Sequence, residues 1–172
     1  MFFNSIYIQR RKLLNFLLCF VFPFFTKAQI ISNLINNYSA EQFTTCPTNG
    51  GQVYKSNYWY QPTFGGSSDY FNICATFSYV TIPSNVFGIQ TPRTGNAYLG
   101  FLTYGGINFF GNQFKEYLGN GLKQTLKPTK VYCITYYLSL SDNSRVATAN
   151  VGVYFSKDSI NSTPHKARQI IC

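Results

Sequence analysis

The chain has 172 residues, with 14 Lys and Arg against five Asp and Glu and a single histidine, for a formal net charge of +9. Aromatic residues make up 19% and charged residues 11%; with frequent Asn, Gly, Ser and Thr, this suits an exported β-protein and not a helical one. The basic residues are scattered: even Lys115, Lys123, Lys127 and Lys130, interleaved with Tyr117 and Leu122, read as a solvated face and a turn, not as a nucleic-acid stripe.

At the front, Arg10, Arg11 and Lys12 precede an apolar run from Leu13 to Phe25, and Thr26-Lys27-Ala28 follows with small residues where a signal peptidase reads. A positive start, a short apolar middle and a small-residue exit predict a cleaved signal peptide over residues 1–28. The run is about 13 residues, short of the ~20 that a membrane helix needs; an uncleaved N-terminal anchor is the other reading. Cys19 follows no small-residue lipobox, so no lipoprotein is expected. Four of the 14 basic residues would leave with the signal and all five acids would stay, so a chain starting at Gln29 would carry +5. That chain suits one domain, residues 29–160, with a real core. Its expected location is secreted or on the outer cell surface, with the periplasm as the alternative.

Cys46, Cys74, Cys133 and Cys172 remain. In an oxidising compartment an even set suggests pairing, with three possible connectivities. Cys46 in "TTCPTNG" and Cys74 in "FNIC" both sit among turn residues, where loops can be stapled, so Cys46–Cys74 is the favoured disulfide. Closing a loop of about 28 residues would stabilise by roughly 3–4 kcal/mol. Cys133 falls inside a strand pattern and reads as a small buried apolar side chain; the partner of Cys172 stays open. Zinc is disfavoured, because no pair has close ligand spacing and His165 is isolated.

Between the cysteines, "SNYWYQPTFGG" (56–66) sets four aromatics beside a loop, with Asn57 and Gln61 as amide partners. "GGSSDYFNIC" (65–74) turns the chain and then places one of its few acids. Asp69 there is either a turn acid accepting backbone N–H bonds, with Tyr70 and Phe71 packed on the fold, or a ligand contact. "NAYLGFLTYG" (96–105) and "QFKEYLG" (113–119) read as strands, and "NGLKQTLK" (120–127) allows one helical turn. "VYCITYYLSL" (131–140) alternates with period two: Tyr132, Ile134, Tyr136, Leu138 and Leu140 share one face. "SDNSR" (141–145) is a hairpin loop into "VATANVGVYF" (146–155), whose Ala147, Ala149, Val151, Val153 and Phe155 again share a face. Many short strands with Gly, Pro and Asn turns predict an all-β fold, an antiparallel β-sandwich or jelly roll, with no internal repeat and no second domain.

From about Asn33 to Ser156 the chain resembles the carbohydrate-binding-like (galactose-binding-like) jelly-roll domain of secreted and cell-surface proteins from gliding-type Gram-negative bacteria. "NLINNYSAEQFTTCP", Trp59, "SSDYFNIC", "IPSNVFGIQTPRTGNAYLG", "FKEYL" and "YYLSLSDNSRVATANVGVYFS" carry the resemblance, in order and spacing. The family domain often precedes OmpA-like or secretion-sorting domains and continues with further strands, so the resemblance implies a truncated relative here, with 161–172 an irregular or truncated tail. Ala40 stands where the family opening usually has Phe, and Ala149 where it often has Asp. The resemblance implies a role for Trp59 within the fold itself. It also raises a structural Ca²⁺ near the opening strand with Glu41 as a ligand, although calcium wants six to eight oxygens. No other cofactor is expected.

For function, aromatic faces can stack on sugar rings while short polar side chains bond the hydroxyls. Trp59, Tyr58, Tyr60, Asp69, Tyr70 and Asn57 are therefore the candidate ligand contacts. The expected function is a non-catalytic extracellular binding module for polysaccharide or surface glycan; the alternative is a structural or adhesive cell-surface domain with no small-molecule ligand. No nucleic acid and no membrane span after signal cleavage are expected. Catalysis is disfavoured: a Ser-His-acid triad would need His165 in the tail. A glycosidase needs two facing carboxylates, yet nothing in the spacing pairs Asp69, Glu116 and Asp142. Glu116, beside Lys115, reads as a surface charge, and Asp142 as a hairpin acid.

Overall fold

The computed structural model describes residues 2–11, 32–104, 115–149 and 151–160. The apolar run 13–25, the strand residues 105 and 113–114, and the tail with His165 and Cys172 lie outside them. The fold is all-β, 25% strand and 3% helix. Eight strands follow in order: β1 (Phe2–Arg11), β2 (Trp59–Tyr60), β3 (Asp69–Asn72), β4 (Ser84–Asn85), β5 (Gly88–Ile89), β6 (Ala97–Gly100), β7 (Gly119–Asn120) and β8 (Val131–Ser139). A 3-10 turn covers Val53–Lys55. No helix among the described residues is long and apolar enough to cross a membrane.

One antiparallel sheet has the order β3-β6-β1-β8, and β2-β7 and β4-β5 form two short ladders. β3 and β6 are buried on both faces, so neither shows the apolar–polar alternation of a surface strand. Their register explains how. Tyr70 faces Leu99 and Phe71 faces Tyr98, and opposed residues share a face. Tyr70, Ala97 and Leu99 join Leu34, Ile35, Ala40, Val53 and Trp59 in one core cluster. Phe71 and Tyr98 join Ala75 and Val80 in a second, on the other face. Phe71 stacks on Tyr98 at 4.8 Å and meets Phe87 edge-on at 5.9 Å. Each buried aromatic of this kind stabilises by about 1.5–3 kcal/mol.

β8 spans nearly the whole predicted 131–140 strand, and its Tyr132, Ile134 and Tyr136 pack against the first cluster as the alternation requires. On the other face, Arg93 lies 3.6 Å above the Tyr137 ring and ties the 91–95 loop to the strand. Cys133 is a half-buried free thiol within β8. The favoured disulfide is present: Cys46 and Cys74 are bonded, with their Cα atoms 5.7 Å apart.

Elsewhere the strands are shorter than the periodicity implied. Of the described residues of 96–105, Ala97–Gly100 are the ones in a ladder, and of those of 113–119 only Gly119 is. The 120–127 stretch forms no helical turn; Lys123 N–H donates to Leu34 O, and Leu122 and Leu126 pack on the first cluster. The described part of 146–155 is not a strand. Val153 sits on the core and Val151 O accepts the Tyr136 hydroxyl at 2.7 Å. The inner side of β8 pairs instead with β1, the front of the predicted signal, through nine register pairs from Phe2↔Ser139 to Arg11↔Val131.

Candidate functional site

β3 begins at the one acid of "GGSSDYFNIC". Its entry is fixed by hydrogen bonds that pull the preceding loop onto the sheet. The Ser68 hydroxyl proton is shared between Gln61 Oε1 and Tyr117 O, and Ser67 N–H and Oγ both donate to Glu116 Oε1 at 2.8 Å. Glu116 Oε2 accepts Leu102 N–H at 2.8 Å. Glu116 is thus only 3% exposed, a clamp between two loops and not the surface charge its lysine neighbour suggested. Burial is tolerated because both carboxylate oxygens have donors.

Asp69 is also buried, and it accepts Gly51 N–H at 2.6 Å. Gly51 can reach it because its φ of +73° suits a residue without a Cβ. Burial pushes the Asp69 carboxyl up to about 7; the Gly51 bond opposes this, and the negative Glu116 adds to it. Asp69 is one of the residues lining a cavity of about 150 Å³ at the end of the β3–β6 ladder, together with Phe101 and Tyr104 and with Ser141 and Asn143 of the 140–146 loop. That loop is pinned from outside. Ile89 N–H donates to Asp142 Oδ2 at 2.7 Å, Asn143 Nδ2 to Val86 O at 2.8 Å, and Ser141 Oγ to Phe87 O. Asp142 therefore joins the β4–β5 hairpin to the cavity wall. Gly100 stays small because a Cβ there would meet the Phe71 ring at 2.6 Å.

The six predicted ligand contacts do not form one surface. Trp59 is 6% exposed, and its Nε1–H donates to Asn37 O at 2.8 Å within the core. Tyr70 is fully buried, with its hydroxyl donating to Ala40 O at 3.0 Å. Neither offers a ring face to a sugar, because each fills the first core cluster. Tyr60 is half-buried and its ring covers Gly119. Asn57 is held between Gln42 O, which accepts its N–H, and Asn37 Nδ2, which donates to its carbonyl. Tyr58 alone is an exposed aromatic, at 58%, held at a φ of +71° that a bulky residue rarely adopts. Of the six, Asp69 is the one in the wall of the cavity described above.

Glu41 is engaged as well. Both its oxygens accept Asn96 N–H at 3.0 Å, with Gly95 (φ +70°) making room beneath them. No group of three or more His, Cys, Asp or Glu that could hold a metal exists among the described residues. One carboxylate already bound to an amide does not fit an ion that takes six to eight oxygens. Glu41 closes a loop contact.

Asn37 carried no expectation from the sequence, and the clamp role of Glu116 was not among those expected of it. Asn37, buried at φ +43°, bonds Gln42, Ser56 and Asn57 through its side chain. Its only signal was the Asn-Asn pair in a turn-like opening. No protein-family model matches the chain, and no curated protein or solved structure matches it either.

Proposed function

We propose that the chain is exported, that residues 1–28 are removed as a signal peptide, and that the rest is a non-catalytic extracellular module of the jelly-roll kind it resembles. It takes a single sugar unit of a polysaccharide or surface glycan into the Asp69 cavity. The observation that carries this is the cavity itself. A volume of about 150 Å³ admits a six-membered ring, since an enclosed cavity of about that size holds benzene, and this one is open to solvent, so that the hydroxyls of a sugar ring can project out of it. Aromatic residues line it, and Asp69, Ser141 and Asn143 are among the polar residues of its wall, the usual make-up of a small-ligand site. The Cys46–Cys74 bond fits an oxidising compartment. The non-catalytic reading is supported by Glu116, whose two oxygens are both bonded and leave Asp69 without a second free carboxylate for glycoside hydrolysis.

The test is calorimetric titration of the exported protein with soluble galactans, mannans, xylans and glucans. Binding of one class is expected, weakened at least tenfold, about 1.4 kcal/mol, by Asp69→Ala and by Tyr104→Ala. Tyr104 is half exposed, so its variant keeps the core. Trp59 emission should be blue and unmoved by the glycan. No binding to any class would overturn the reading. The structural or adhesive module would then stand, which the burial of Trp59 and Tyr70 favours.

A further inference from the structure

β1 is an inner strand, and it lies within the segment proposed to leave on export. It pairs with β8 over nine positions and with β6 at Phe2↔Gly100 and Phe3↔Leu99. β8 meets the rest of its sheet only through β1. Removing residues 1–28 would open the backbone edge of β6, whose four residues are all buried, and cut β8 from the sheet. Buried backbone groups need partners, so another strand must enter.

We infer that residues 146–155 replace β1 when the signal is removed. This inference rests on the signal-peptide reading above. Direction comes first. β1 starts beside the C-terminal end of β8 and runs antiparallel to it, and a strand returning from β8 through a hairpin loop starts at the same place and runs the same way. The loop exists already, since Ser144 N–H donates to Ser141 O at 3.0 Å and closes a turn over 141–144. A four-residue loop pairs Leu140 with Arg145. It then sets Ala147, Ala149, Val151 and Val153 opposite Leu138, Tyr136, Ile134 and Tyr132.

Three of those four β8 residues, Tyr132, Ile134 and Tyr136, pack on the first core cluster. In the present register Arg10 stands opposite Tyr132; the hairpin register puts Val153 there, an apolar residue on an apolar face. The segment is also close by: Val153 packs on that same cluster, and Val151 O holds the Tyr136 hydroxyl. The outer edge of β8 offers no such gain, because a strand added there leaves β6 open. The cavity wall at Ser141 and Asn143 stays in place throughout, anchored to Phe87 and Val86.

Cys133 reports the exchange, because it stands opposite Gln9 in the present register and opposite Gly152 in the hairpin. Gly152 has open space where a Cβ would be. With Cys19 and Cys172 replaced by serine, Gln9→Cys and Gly152→Cys chains would be isolated as cytoplasmic precursor and as exported product, oxidised, and read by intact mass and peptide mapping. The precursor should crosslink only Gln9→Cys to Cys133. The product should have lost residues 1–28 and crosslink Gly152→Cys to Cys133, with slow exchange of the β6 amides that face β1. A product that keeps residues 1–28 would sink the signal reading and the exchange together. A shortened product without the crosslink, or with it but with fast-exchanging β6 amides, would overturn the exchange alone.

Discussion

Asp69 shows how one residue can look like a turn acid and behave differently. It does accept a backbone N–H, from Gly51, but from inside a strand and beside a cavity. Its pKa rises from 3.8 to about 7 on folding. Between those values the folded chain holds a proton that the unfolded chain has lost. The stability from this group is therefore full below about pH 3.8, declines as the pH rises, and is lost above about 7. Asp69→Asn keeps an oxygen for Gly51 and cannot ionise. Urea unfolding should show the variant equal to wild type near pH 4 and more stable at pH 8, by about 1.4 kcal/mol for each pH unit between the two values at most. Equal stability at pH 8 would show that the carboxyl is solvated.

Trp59 belongs to the same scale. Its amphipathic ring was compatible with a sugar platform or a core anchor, and the bond to Asn37 O with 6% exposure decides for the anchor. Trp59→Ala should lower stability by about 3–5 kcal/mol, measured by the shift of the urea midpoint.

Among the elements, β3 and β6 are the centre of the fold, and four residues each suffice because both faces are covered. Their entry and exit depend on Glu116, which joins Ser67 to Leu102. Glu116→Gln would turn one acceptor into a donor facing a backbone or hydroxyl donor. A loss of about 1–3 kcal/mol is expected from a buried donor left unpaired, read by chemical denaturation at pH 7; no loss would mean that water reaches the clamp. β8 was legible from its alternation because it is long and one face packs on the core. β3 and β6 were harder to delimit. A strand covered on both faces lacks the period of two, and its ends are set by where the partner stops pairing.

For the whole molecule, the Cys46–Cys74 bond staples the opening loops to the end of β3. Removing it with Cys46→Ser/Cys74→Ser should lower stability by about 3–4 kcal/mol. Thermal unfolding should then fall by roughly 10 °C, and reductant should do the same to wild type. An unchanged melting temperature would mean that the loops are held by the Asn37 and Glu116 networks alone.

The all-β class and the β8 face pattern were legible in the chain, and turn context favoured Cys46–Cys74 among three possible connectivities. Each depends on local information: backbone period, turn residues and cysteine context act over a few positions. Long-range contacts set which aromatics are core, that Glu116 and Glu41 are clamps, and that Asp69 lies in the wall of a cavity. They also decided that β1 and not 146–155 pairs with β8. Those outcomes depend on residues far apart in the chain, from Asp69 and Gly51 to Phe2 and Ser139, meeting across a sheet or a loop contact, and the burial, pKa or pairing of a side chain is set by the partner it meets.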